Sequence, residues 1–262
     1  MFDRAVLERP SPSPENALAL VVDDLQFGVE GDRLATVPMQ GEPLLFLGRR
    51  EGMPLFLSDE PLRGGTMMDF RAAAAVLTPE DVALLSYAQG MLQWIRRARY
   101  CSTCGRTLEE KQSGHVRACH ACNVEIYPRT DPAVMMLVTH RGKLLLAQHR
   151  GRIAKMWSTL AGFVEPGESL EEAATRELAE ETGLIAKELR YFGSQSWPLP
   201  ASLMIGFVIE TESDALTIDE SELLDARWYS AEELDGLELS SPISLSRRMI
   251  ESWRASRLRD SG

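Results

Sequence analysis

Gly162-Phe163-Val164-Glu165-Pro166-Gly167-Glu168-Ser169-Leu170-Glu171-Glu172-Ala173-Ala174-Thr175-Arg176-Glu177-Leu178-Ala179-Glu180-Glu181-Thr182-Gly183-Leu184 is the stretch from which the rest of the chain is read. Ser169 and Glu172 have the spacing of a capping box, and Gly183 stands where a helix ends on a left-handed residue. The spacing therefore predicts a helix over residues 170–182. Leu170, Ala174 and Leu178 recur at i, i+4 and i+8, an apolar stripe able to pack on a sheet. Glu177 and Glu181, four apart, stack on one side of that helix, and Glu180 borders the same face.

Carboxylates this close repel one another, and in the last turn they also oppose the helix dipole. A solvated acidic helix end accounts for one or two glutamates, whereas a run of three calls for a compensating cation. Magnesium or manganese fits, since both prefer carboxylate and water oxygens and share their shell with substrate phosphates. Arg176 is long enough to reach back to Glu168 and lock the preceding loop to the helix.

Around this helix, residues 133–139 and 143–148 read as strands joined by the turn His140-Arg141-Gly142, and residues 203–209 and 226–229 add further strand-like runs. Strands flanking a helix predict a mixed α/β sandwich for residues 130–262.

Upstream, Cys101-x2-Cys104, fourteen residues and Cys119-x2-Cys122 make two short chelating turns that can meet on one tetrahedral ion. The segment from Tyr100 to Asn123 holds too little apolar material for a core of its own, so the reading is a structural zinc closed by four thiolates. Disulfides and a redox Cys-x-x-Cys pair are the rival readings, disfavoured by the missing secretion signal and by the pairing of two such turns. Gly105 and Asn123 suit the tight knuckles after each pair; His115 and His120 are left over and read as surface histidines.

Further upstream, Thr78-Pro79-Glu80-Asp81 offers an N-cap and a proline at the first helical position. Leu84, Leu85, Ala88, Met91, Leu92 and Ile95 follow at helical spacing, a helix of about five turns. Residues 10–60 alternate short apolar runs (18–22, 44–47, 54–57) with Gly, Pro and charged breaks, a β-rich pattern. The expected organisation is a β-rich N-terminal domain ending in a helix (1–98), a zinc ribbon (99–126) and a catalytic domain (127–262).

With 262 residues, 44% apolar and 26% charged, the composition is that of an ordinary soluble protein. The formal charge of -11 argues against holding nucleic acid by bulk electrostatics. Arg96, Arg97 and Arg99 form a local basic cluster, read first as a solvated helix end and second as the strongest support for a zinc-ribbon nucleic-acid-binding module. No apolar run approaches the ~18 residues that cross a bilayer, and Arg4, Glu8 and several prolines interrupt the start. The expectation is a cytoplasmic protein with no membrane partner.

From Gly162 to Leu184 the residues match G-x5-E-x7-R-E-U-x-E-E-x-G-U (U aliphatic) at every fixed position, and the chain thereby resembles the Nudix hydrolases. The resemblance implies an α/β/α sandwich over roughly residues 130–260 and metal-dependent cleavage of a diphosphate. Ser194-Gln195-Ser196-Trp197-Pro198-Leu199-Pro200-Ala201-Ser202 is similar to the SQPWPFPxS element of the NADH pyrophosphatase (NAD-capped RNA hydrolase) subgroup, with Ser196 and Leu199 departing from it. The four-cysteine ribbon, Tyr127-Pro128-Arg129-Thr130-Asp131-Pro132 and the β-rich start agree.

The subgroup implies cleavage of NADH or NAD+ to NMNH or NMN plus AMP, removal of the NAD cap from RNA, and a homodimer. ADP-ribose or another nucleoside diphosphate derivative is the alternative substrate class. Metal contacts implied by the resemblance are the backbone of Ala161 and the carboxylates of Glu177, Glu181 and Glu222, with Glu180 nearby. Glu222 enters through the family's E-x3-A-R-W run. Glu180 or Glu181 would orient or deprotonate the attacking water. Substrate contacts implied are Gln195, Ser196, Trp197, Pro198, Leu199, Pro200, Ala201 and Ser202, read as a loop, with Tyr127, Phe163, Arg71 and Ser246. The subgroup's substrate-touching glutamate between the cysteine pairs has no counterpart in Gln112-Ser113-Gly114.

Overall fold

The computed structural model describes residues 2–4, 16–151 and 156–260. It divides into two compact units, one of Met1–Thr130 with Pro198–Ala201, the other of Asp131–Trp197 with Ser202–Gly262.

In the first unit, β1 (Leu18–Asp23), β2 (Gln26–Glu30), β3 (Leu45–Arg50) and β4 (Met53–Ser58) take up the apolar runs seen in the sequence. β4 pairs antiparallel with β3 and parallel with β1. Ala19, Val21, Phe46 and Phe56 sit in the core beneath them. A short α1 (Phe70–Val76), unanticipated, starts where the Asp69 carboxylate accepts the N–H groups of Arg71 and Ala72. α2 (Pro79–Arg97) begins at Thr78 as expected and buries Leu84, Leu85, Ala88, Met91 and Leu92, with Trp94 rather than Ile95 completing the face.

Asp81 of α2 is 1% exposed. It accepts from Leu34 N at 2.7 Å, Arg33 Nε at 3.0 Å and Arg50 Nη2 at 3.1 Å. One carboxylate thus ties the helix to two strands. Deleting it would leave the buried Arg50 guanidinium without a counter-charge, so Asp81→Ala is expected to cost about 3–5 kcal/mol in urea unfolding. A loss no larger than the ~1 kcal/mol of a surface ion pair would refute this.

The cysteine segment folds as three antiparallel strands, Glu109–Lys111, Val116–Cys119 and Val124–Ile126. Its apolar cluster is small, with Leu108 and Ile126 packed against Cys101, Cys119 and Cys122.

In the second unit, β5 (Asp131–His140) and β6 (Lys143–His149) form a hairpin across Arg141 and Gly142, both at positive φ. β7 (Leu160–Phe163) is followed by α3 (Leu170–Thr182), β8 (Ala186–Trp197), β9 (Ser202–Thr211), β10 (Leu223–Tyr229) and α4 (Leu245–Asp260). The sheet order is β8-β9-β5-β6-β10, with β7 on β5 and β9 parallel to β5. Successive residues of β5 face opposite layers. Val134, Met136 and Val138 pack with Ala173, Ala174 and Leu178 of α3, whereas Met135 and Leu137 pack with Leu245, Met249, Ile250 and Trp253 of α4. This alternation builds the expected α/β/α sandwich.

One expectation is corrected. Residues 195–202 are not one loop, because Gln195, Ser196 and Trp197 end β8 and pair with Met204, Leu203 and Ser202 of β9. The ladder runs on to Trp197 and ends at Pro198, which has no N–H to donate.

Candidate active site

The helix α3 starts and stops as its sequence predicts. Ser169 Oγ accepts from Glu172 N at 3.1 Å, the Glu172 carboxylate accepts from Ser169 N at 2.8 Å, and Gly183 ends the helix at φ 70°. Its apolar stripe presses it onto the sheet, with β7 close beneath. A Cβ added to Gly162 of β7 would lie 1.8 Å from Glu177 Cδ, so the Glu177 carboxylate rests directly on a residue that has no side chain.

Glu181, one turn further, is 2% exposed. The third carboxylate, Glu222, arrives from the segment before β10. Asp219 N donates to Glu181 O at 3.0 Å and Arg150 N donates to Glu222 O at 2.8 Å. Main-chain bonds thereby hold this exposed side chain between the last turn of α3 and the end of β6. Carboxylate oxygens of Glu177, Glu181 and Glu222 lie within 4.8 Å of one another.

Burial pushes the Glu177 carboxyl above its ordinary value; Arg176 pulls it back, and the charges of Glu180 and Glu222 add to the rise. Such crowding of hard oxygen donors fits a hard divalent cation, which would supply the missing positive charge.

Arg176 donates through Nε and Nη2 to Glu168 at 2.5 and 2.9 Å, the bidentate lock read from the sequence. It also donates to Glu180, four residues on, at 2.9 Å and to Phe163 O at 3.0 Å, the latter a contact that helical spacing does not announce. Glu165 N donates to Glu168 as well, and the Arg176 guanidinium with this amide holds the Glu168 carboxyl down at about 2. The loop-to-helix clamp therefore stays ionised at ordinary pH. Arg176 Nη1 lies between Glu180 at 2.9 Å and Glu177 at 3.0 Å, and of these two only Glu177 belongs to the close carboxylate group.

Ala161 lies on β7 opposite Met135, and the Phe163 side chain at the strand's end is 59% exposed. Gln195 donates to Ile243 O at 2.7 Å. Ser202 is buried, as is Ser246, which bonds to Thr159 and Ser240. Pro198, Leu199, Pro200 and Ala201 belong to the first unit, as do Arg71, exposed in the first turn of α1, and Tyr127, whose hydroxyl donates to Glu125 at 2.7 Å.

In the ribbon, the sulfurs of Cys101, Cys104, Cys119 and Cys122 lie within 4.8 Å of one another, and none is in a disulfide. Backbone N–H groups of Thr103 and Cys104 pull the Cys101 thiol down to about 6, while the hydrogen bond to Cys104 is the first cause pushing Cys122 up to about 12. Four crowded sulfurs resist ionising together, a conflict that a thiolate-binding cation resolves. Gly105 and Asn123 take positive φ in the two knuckles, as their residue types suggested. His115, expected at the surface, is buried and bonds Tyr87, whereas exposed His120 bonds Glu109, each at 2.8 Å; neither joins the sulfur group.

Three family models match the chain: a NUDIX domain over residues 129–249, an NADH pyrophosphatase zinc ribbon domain over 96–127, and an NADH pyrophosphatase-like rudimentary NUDIX domain over 14–94. The chain is 39% identical over 219 residues to the NAD-capped RNA hydrolase NudC of Chromobacterium violaceum, spanning 82% of each protein. It is 36% identical over 218 residues to the protein of that name from Stutzerimonas stutzeri, spanning 81% of this chain and 78% of that one. In fold it is similar to the crystal structure of a NUDIX hydrolase from Nitrosomonas europaea, with a TM-score of 0.53 and 20% identity over 62% of this chain and 93% of that one. The chain belongs to the Nudix hydrolase family, in the branch where the catalytic domain follows an NADH pyrophosphatase zinc ribbon and a rudimentary Nudix domain.

Proposed function

We propose that this enzyme hydrolyses the pyrophosphate linkage of NADH and NAD+ to NMNH or NMN plus AMP, and removes the NAD cap from RNA 5′ ends, using magnesium or manganese. The observation that carries the reading is the convergence of Glu177, Glu181 and Glu222 on one point of the Nudix helix. The names of its NudC relatives and the NADH pyrophosphatase ribbon support the choice of substrate.

Glu177, Glu181, Glu222 and the Ala161 carbonyl would hold the cation. A divalent ion held by these residues would supply positive charge toward the leaving phosphate and make a nearby water more acidic. Glu181, or Glu180 from its place beside Arg176, orients or deprotonates the water that adds across the phosphoanhydride. Phe163 offers an exposed ring to stack on nicotinamide, while Tyr127, Arg71 and residues 195–202 supply further contacts. The reading keeps the three-part division at 98/99 and 126/127, a cytoplasmic address and a homodimer. Among the described residues no helix is long and apolar enough to cross a membrane.

The test is the product pair from NADH and magnesium, with kcat/KM compared against ADP-ribose. NMNH plus AMP is expected, with NADH preferred. Release of free nicotinamide, or a higher kcat/KM on ADP-ribose, would overturn it.

The four cysteines hold a structural zinc. Elemental analysis should find one zinc per chain, lost together with thermal stability in Cys119→Ser. A metal-free wild type of equal stability would exclude a structural metal.

A further inference from the structure

Ser246 entered as a substrate contact by resemblance, but its surroundings give it other work. Its oxygen accepts from Thr159 N at 3.1 Å and meets the hydroxyls of Thr159 and Ser240, each at 3.0 Å. A serine oxygen has two lone pairs and one proton, so three neighbours exhaust it. Ser246 is 3% exposed and Thr159 fully buried. No hydrogen-bonding capacity remains on that side chain for a ligand.

Thr159 is the joint at which the chain passes from one strand partner to another. Ser158 exchanges main-chain bonds with Ala147 of β6, whereas Leu160, Ala161, Gly162 and Phe163 pair with β5. At Thr159 itself the N–H is taken by Ser246, and the carbonyl faces His149 Nε2 at 3.2 Å. Two residues on is Ala161, and three on is Gly162, on which Glu177 rests. Removing the Ser246 hydroxyl strands two buried Thr159 donors beyond the reach of water. Buried donors seek new partners, and the main chain must move to find them.

We propose that Ser246 is a positioning residue: by clamping Thr159 from the first turn of α4 it fixes the strand beneath the carboxylate group, and so sets cation affinity and turnover without touching substrate. The inference rests on the reading of Glu177, Glu181, Glu222 and Ala161 as the cation site.

The test uses the full chain and manganese(II) alone, titrated by electron paramagnetic resonance, beside steady-state kinetics on NADH. Ser246→Ala is expected to weaken manganese binding about tenfold and to lower kcat about tenfold, the range of an outer support of a metal site. KM for NADH should stay within about twofold, because no substrate contact is lost. Ser240→Ala removes a bond to the same oxygen but none to Thr159, and should leave all three quantities within about twofold.

If Ser246→Ala leaves manganese binding and kcat unchanged, or raises only KM, the inference is wrong. Equal effects of the two serine variants would also overturn it, since they indicate general loosening. Should Ser246→Ala fail to fold, Thr159→Val keeps the volume and the N–H while losing one bond to Ser246. Unaltered manganese affinity in that variant would sink the proposal. Glu181→Gln separates the underlying reading: if it leaves manganese binding intact, the cation site itself is misplaced.

Discussion

Glu181→Gln is expected to lower magnesium-dependent cleavage of NADH by about a thousandfold or more, roughly 4 kcal/mol of barrier. The amide matches the carboxylate in size, so packing at this 2% exposed position is preserved and only the anion is lost. Glu181 shares its site with two other carboxylates, so the neutral variant should be at least as stable as wild type. Product quantification with a melting curve on the same sample checks both halves. Activity within about tenfold of wild type, some 1.4 kcal/mol, would mean that the carboxylate group is not where the bond is cut.

Gly162→Ala tests the same site from beneath. The new Cβ would stand 1.8 Å from Glu177 Cδ and about 2.1 and 2.2 Å from its oxygens. Gly162 is not among the glycines at positive φ, so backbone conformation does not demand glycine there and space alone does. Either the carboxylate swings out or α3 lifts from β7. A displacement of the order of 1 Å at a reacting centre costs about a hundredfold in rate, and overpacking a tight contact costs about 1–3 kcal/mol of stability.

Gly206→Ala is the contrasting case, since the nearest atom to its added Cβ is the Met249 sulfur at 2.9 Å, on a flexible side chain. Kinetics and urea unfolding of the two variants should separate sharply. A Gly162→Ala enzyme retaining activity within about threefold would remove the cradle from the account.

Both expectations arise from one short segment, and it was also the most legible. A capping box, a C-terminal glycine and carboxylates at i and i+4 act over a few residues, so the ends of α3 at Leu170 and Thr182 and the stacking of Glu177 on Glu181 follow from local spacing. The cysteine pairs are legible for the same reason: each knuckle is made by adjacent residues. Strands β5 and β6 showed themselves because burial on both faces demands unbroken apolar runs.

Other elements did not show themselves. β8 reads Ala-Lys-Glu-Leu-Arg-Tyr-Phe-Gly-Ser-Gln-Ser-Trp, and at the sheet's edge it is stabilised by main-chain pairing with β9 more than by apolar alternation. In α4 the buried apolar residues form only a narrow stripe of Leu245, Met249, Ile250 and Trp253, with Ser246 buried beside them, along a helix otherwise rich in arginine and serine.

Sequence alone, then, determined the helix, its charges and the ion-binding chemistry they imply, because caps and neighbouring turns are short-range. Glu222 was named in the sequence by resemblance alone; only the tertiary structure showed what brings it to Glu177 and Glu181, and why position 162 must be glycine. Those outcomes depend on main-chain bonds such as Asp219 to Glu181 and on the close stacking of α3 over β7. They join residues far apart in the chain, where no periodicity carries the signal.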